Sequence, residues 1–160
     1  LMVSATFTGA IISSFEDALS VCAVLVAYIP MLMDTGGNCG SQSSTLIIRG
    51  LALDEIKFKD IFRVIFKEFR IALLVGIGLA IANGIRIFIM YKDLKMAIVI
   101  ALSLSLIVII AKIIGCTLPL FAKKLHMDPA IMASPLITTV VDTCSIMIYF
   151  SIATRVFTLS

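Results

Sequence analysis

Ile131-Met132-Ala133-Ser134-Pro135-Leu136-Ile137-Thr138-Thr139-Val140-Val141-Asp142-Thr143-Cys144-Ser145-Ile146-Met147-Ile148-Tyr149-Phe150 is a membrane-length apolar stretch with one carboxylate inside it. A spanning helix needs about 20 such residues. A carboxylate in hydrocarbon costs at least about 2.5–3.5 kcal/mol, so it is tolerated only against a wet cavity or a partner. Ser134, Thr138, Asp142, Ser145 and Tyr149 recur at spacings of three and four, so one helical stripe carries most of the polar atoms. A polar stripe with an acid, on an otherwise greasy helix, is what a cation pathway needs. The alternative is an acid neutralised by protonation or by an intramembrane base such as Lys112.

Composition points to the membrane independently. The hydrophobic fraction is 61% and only 14% of the 160 residues are charged, roughly half the usual globular share. Mean hydropathy is +1.15. A soluble domain of this size would have no surface to present. The net charge of +3 carries no argument for nucleic acid. Cys22, Cys39, Cys116 and Cys144 stand singly in apolar sequence with no paired spacing, so neither a zinc site nor a disulfide framework is indicated. An enzyme is disfavoured too: His126 sits in a short loop beside Asp128-Pro129, with no nucleophile placed to use it.

Apolar stretches at about 1–15, 18–48, 71–90, 94–122 and 130–154 predict an all-α membrane protein with five spans. The first is short, and the chain opens on Leu1, so this span is expected to begin upstream; it lacks the basic leader of a signal peptide. Residues 49–70 hold Arg49, Lys57, Lys59, Arg63, Lys67 and Arg70, the densest basic run, which the positive-inside rule places in the cytoplasm. Within it, Ile56, Phe58, Ile61, Phe62, Ile65, Phe66 and Phe69 suggest that 52–70 forms an amphipathic helix on the inner membrane face. Alternation then puts Tyr91–Lys95 outside, Lys123-Lys124 inside, the N-terminal end inside and the C-terminus outside. Arg86, Lys92 and Lys95 pull mildly against it.

The second span carries Pro30-Met31-Leu32-Met33-Asp34-Thr35-Gly36-Gly37-Asn38-Cys39-Gly40-Ser41-Gln42. Proline and glycine predict a kink or opening here, tolerable at membrane depth only against protein or a water-filled cavity. Asn38, Ser41, Gln42 and Thr45 fall on one face. Gly36, Gly40 and Ser44 would serve close helix packing. Both uses are expected together.

These segments resemble the transmembrane domain of the MgtE family of magnesium channels. The matching residues are Phe15-Glu16, Pro30, Gly36-Gly37-Asn38-Cys39-Gly40-Ser41-Gln42-Ser43-Ser44-Thr45 and Arg49-Gly50-Leu51-Ala52. Further on come Gly115-Cys116-Thr117-Leu118-Pro119, Asp128-Pro129-Ala130, Pro135-Leu136-Ile137-Thr138-Thr139 and Asp142. The resemblance runs from about Gly9 to Arg155. It implies a homodimer in the cell membrane, five transmembrane helices per subunit, with a pore on the two-fold axis lined by the second and fifth helices. It also implies that Asp142 binds hydrated Mg²⁺, helped by backbone oxygens near Thr138 and Ser145. Asn38, Gly37, Ser41, Thr45, Ser134 and Asp34 are the further expected pore-lining residues. The cytoplasmic N domain and paired CBS modules of the family pattern have no counterpart within these residues.

Three departures stand out. The family commonly reads Asp-Val-Thr-Gly where this chain has Asp142-Thr143-Cys144-Ser145. Lys112 occupies a place usually neutral, often Asn, and Asp34 a place often small.

Mg²⁺ dehydrates reluctantly and prefers octahedral oxygen coordination, so fast conduction means handling the hydrated ion. Other divalent cations are further candidate substrates. Glu16 and Asp17, at the outer end of the first span, are expected to draw cations to the mouth. Two rivals remain: a proton- or ion-coupled secondary transporter, and a non-conducting membrane anchor for a cytoplasmic sensor.

Overall fold

The computed structural model describes residues 2–14, 23–132 and 134–158, and every regular element among them is helical. In chain order the α-helices are α1 (Met2–Ser14), α2 (Ala23–Val26), α3 (Ile29–Ala52), α4 (Ile61–Tyr91), α5 (Leu94–Lys124) and α6 (Ser134–Thr158). Phe58–Asp60 and Pro129–Met132 are short 3-10 turns before α4 and α6. Among the described residues three stretches are long and apolar enough to cross a membrane: Phe58–Tyr91, Leu94–Lys124 and Pro135–Phe157. At 24 residues α3 has the length, about 36 Å at 1.5 Å per residue. Its Asp, Asn, Gln and hydroxyl side chains make it less apolar.

The expected opening of the second span lies elsewhere. The chain turns at Ala27 and Tyr28, and α3 then runs unbroken through Gly36, Gly37 and Gly40. Pro30 falls in the first turn, where its missing N–H has no intrahelical acceptor to lose. The glycines cost about 1 kcal/mol each in helix propensity, which packing offsets. A Cβ on Gly36 would stand 2.7 Å from Ile107 Cγ2, and one on Gly40 would stand 3.2 Å from the Ala111 carbonyl. A Cβ on Gly115 would run into the backbone of Gly40 itself. At that crossing α3 and α5 touch main chain to main chain, as small residues permit in membrane bundles.

A second difference concerns residues 52–70. Instead of a separate surface helix before the third span, Ile61 begins a single 31-residue helix. No glycine, proline or cap interrupts residues 61–71, so propagation continues once the first turn has formed. Ile61, Val64 and Ile65 pack inward against Ile47, Leu51, Cys116 and Leu120, while Phe62 and Phe66 stay exposed on the other side. A left-handed Lys92 (φ 57°) ends α4, and Asp93 caps α5 by accepting from the Lys95 and Met96 N–H groups at 2.9 and 3.2 Å.

Helix α5 is the axis of the bundle, packed along α3, α4 and α6. Its buried side chains include Val99, Ile100, Leu104, Ile107, Val108, Ala111 and Leu120. Helix α4 keeps most of its apolar side chains exposed, Leu74, Ile77, Ile81, Ile85 and Ile89 among them, as a lipid-facing helix would. The two basic loops lie at one end of the molecule. Phe58 stacks edge-on against Phe121 at 5.7 Å, and Lys124 Nζ stands 4.4 Å from the Phe58 ring centre.

Candidate functional site

Asp142 is half-buried on α6, facing the glycine pair of α3. A Cβ on Gly37 would lie 3.7 Å from Asp142 Oδ1 and 3.2 Å from Thr138 Cγ2. The bare backbone at Gly37 therefore lets the carboxylate and the threonine sit directly against α3. Among the described residues, no hydrogen-bond donor or cation lies within bonding distance of the Asp142 carboxylate. Asp34 is its electrostatic neighbour, another acid on α3. Two carboxylates with no counter-ion among the described residues make a locus of negative potential along a helix pair.

The polar stripe of α3 turns away from the interior of the bundle. Asp34, Asn38 and Thr45 are exposed and Ser41 half-buried, a run at spacings of four, three and four. Gly36, Gly40, Ser43, Ser44 and Ile47 take the opposite, buried face. Small-residue packing and polar display thus occupy two sides of one helix.

The hydroxyls of α6 are mostly satisfied within the helix. Thr138 Oγ1 and Thr139 Oγ1 donate to the Pro135 carbonyl at 3.1 and 2.9 Å, and Thr143 Oγ1 donates to Thr139 O at 3.0 Å. Thr138 is half-buried beside Asp142. Ser145 is buried instead, its Oγ donating to Val141 O at 2.7 Å and packed where Gly36 leaves room. The Gly-to-Ser departure is thus absorbed in the core of the bundle. Tyr149, on the same sequence stripe, donates from its hydroxyl to Leu25 O at 2.9 Å and is likewise buried. Ser134 opens α6, but its side chain, like Glu16 and Asp17, lies outside the described residues.

Lys112 does not neutralise Asp142. Its Nζ lies 3.3 Å from Glu68 Oε2 on α4 and donates to Ser43 Oγ at 3.1 Å. Ser43 in turn donates to Glu68 Oε2 at 2.6 Å. Ser43 lies in the glycine-serine run quoted above, whereas Glu68 belongs to no motif, although Val64, Glu68, Ala72 and Gly76 recur every four residues. That period places Glu68 on the buried stripe of α4.

Soft-metal chemistry finds no site among the described residues: no three of His, Cys, Asp and Glu converge on one point. Cys39 and Cys116 are buried, and Cys144 lies about 200° round the helix from Asp142. His126 adopts a left-handed turn (φ 58°) after α5 and is exposed.

The MgtE family model, described as a divalent cation transporter, matches residues 29–152. The magnesium transporter MgtE of Bacillus subtilis (strain 168) is 40% identical over 154 residues, which cover 96% of this chain and 34% of that protein. The magnesium transporter MgtE of Thermus thermophilus is 37% identical over 153 residues, again 96% of this chain and 34% of the relative. That of Enterococcus faecalis is 31% identical over 146 residues, 91% of this chain and 32% of the relative. The chain spans about a third of the length of the curated relatives it matches. With a family match over most of its length, lying across the helices that carry Asp34, Gly37 and Asp142, this chain belongs to the MgtE family.

Proposed function

We propose that this chain forms the pore of a channel for hydrated Mg²⁺, built as a homodimer in the cell membrane. Five spans per subunit cross the bilayer, with the N-terminal end and both basic loops inside and the C-terminus outside. The second and fifth spans, α3 and α6, line the route on the two-fold axis. One observation carries the reading: the half-buried Asp142 carboxylate has no bonding partner among the described residues and lies against bare backbone at Gly37. An acid kept at membrane depth without a counter-ion implies a cation from outside the protomer. The curated relatives are named magnesium transporters, which supports Mg²⁺ as that cation.

In a dimer the two Asp142 groups face each other, which disfavours an empty, fully ionised site and favours a divalent occupant. Hydrated Mg²⁺ suits outer-sphere contact with carboxylates and carbonyls, and leaves easily enough to conduct. Thr138 adds its position one turn before the acid. Ser145 has its hydroxyl committed to Val141, so its contribution is the backbone oxygen. Asp34, Asn38, Ser41 and Thr45 supply the polar wall of the second span. Ser134 extends the wall at the start of α6, and Glu16 and Asp17 attract cations at the outer mouth. Transport, not catalysis, is the activity.

Purified full-length protein in liposomes tests this with a trapped Mg²⁺ indicator. Mg²⁺ entry down its own gradient, unaffected when proton and Na⁺ gradients are collapsed, is the expected result. Entry that stops on collapse would mean a coupled transporter, and no entry would mean an anchor.

A further inference from the structure

Ser43, Glu68 and Lys112 join α3, α4 and α5 inside the bundle. Ser43 is 0%, Glu68 4% and Lys112 5% exposed. Their polar atoms close a three-membered ring of contacts: 2.6 Å from Ser43 Oγ to Glu68 Oε2, 3.1 Å from Lys112 Nζ to Ser43 Oγ, and 3.3 Å from Lys112 Nζ to Glu68 Oε2. Among the described residues this is the sole ion pair. A buried ion pair is a poor device for stability, because desolvation of both charges opposes their attraction. In some proteins such a buried polar group instead specifies one arrangement of elements over others.

The location says which arrangement. Ser43 lies about 200° round α3 from both Ser41 and Thr45, so the contact grips this helix from behind its polar stripe. Towards α2, the backbone approach of Gly40 and Gly115 already clamps α3 to α5. Towards the basic end, a cavity of about 510 Å³ opens between the last turns of α3 and the first turns of α4. Arg49, Arg63 and Lys67 line it with Glu55, Asp60 and Glu68, the last of which is already paired with Lys112. Glu68 is the lining residue furthest along α4. Room for movement thus lies on one side of the ring and a rigid crossing on the other.

We propose that Ser43, Glu68 and Lys112 are positioning residues that set the rotation of α3, and that they carry displacements of the charged end of α4 to it. The inference rests on the reading of α3 as a pore helix. Turning the last turns of α3, beyond the fixed crossing at Gly40, would move Thr45 off the conduction route while Asn38 and Asp142 stayed in place. The ring therefore governs how fast ions pass more than how tightly they bind.

The test replaces Glu68 and Lys112 together by Met in full-length protein, since apolar replacement of a whole buried pair preserves folding where loss of one partner does not. Three quantities are read: the unfolding midpoint in detergent, Mg²⁺ flux against concentration, and the distance between spin labels at Leu46 on α3 and Leu106 on α5. Expected are a parental midpoint, a maximal flux lower by about fivefold or more, the low end of ordinary coupling, an unaltered half-saturating concentration, and a broadened distance distribution. Parental flux and a parental distance distribution in the folded double variant would overturn the proposal, leaving the ring a filler of space. Where the double variant does not fold, the exchanged pair Glu68→Lys with Lys112→Glu decides: recovery of flux over either single change supports the proposal, and none refutes it. The distance measurement stands without any flux, so failure of the pore reading is seen separately, as transport that survives loss of Asp142.

Discussion

Asp142 and Lys112 are two charges at membrane depth whose fates differ because of what surrounds them. Lys112 finds Glu68 and Ser43 within the protomer; Asp142 finds a glycine backbone and a second acid. Removing the carboxylate of Asp142 should therefore leave the fold intact, since it breaks no internal pair and the change is towards apolar. Asp142→Ala is expected to retain parental thermal stability and to lose Mg²⁺ flux at least about tenfold, equivalent to about 1.4 kcal/mol. Flux into liposomes, measured on protein checked for correct assembly, decides. Parental uptake by the variant would remove Asp142 from the conduction route.

At the scale of elements, the glycines divide by what faces them. Gly115 meets the Gly40 backbone, which cannot yield as a side chain can, whereas Gly78 on α4 has nothing within 4 Å. Gly115→Ala is expected to destabilise by about 1–3 kcal/mol or more. Gly78→Ala should be neutral or stabilising by up to about 1 kcal/mol through helix propensity. Thermal unfolding in one detergent compares the two; equal midpoints would contradict the α3–α5 crossing described above. Orientation belongs to the same scale. Lys59, in the 3-10 turn before α4, is exposed and sits in the basic run assigned to the cytoplasm. A cysteine placed there, in a background without native cysteines, should resist an impermeant thiol reagent in intact cells and react after lysis. Labelling from outside would invert the topology.

For the whole molecule, the exposed stripe of Asp34, Asn38 and Thr45 is costly against lipid and acceptable against a wet pore. A two-fold axis beside α3 would enclose it, and the same patch on both subunits would then meet across that axis. Asn38→Cys is expected to be cross-linked between subunits by a short bifunctional thiol reagent in membranes. Phe62→Cys, on the exposed outer side of α4, should give monomer only. Cross-linking at position 62 and none at 38 would place the subunit contact elsewhere.

How much of this was legible before the fold was known follows from what a linear pattern can encode. Apolar length marks a spanning helix because the bilayer has a fixed thickness, so α4, α5 and α6 were readable from hydropathy. The acid within α6 and the polar stripe of α3 were readable from helical period, which assigns residues to faces. Period does not say which neighbour a face meets. That Ser145 turns into the core against Gly36, and that Tyr149 reaches Leu25 124 positions away, depended on how α6 packs. The partner of Lys112 was decided in the same way: Glu68 is 44 positions distant, and only the antiparallel packing of α4 on α5 brings it within 3.3 Å. Charge and hydropathy are properties of a residue, written in the sequence; pairing is a property of two helices in contact, settled when tertiary packing excludes every other partner.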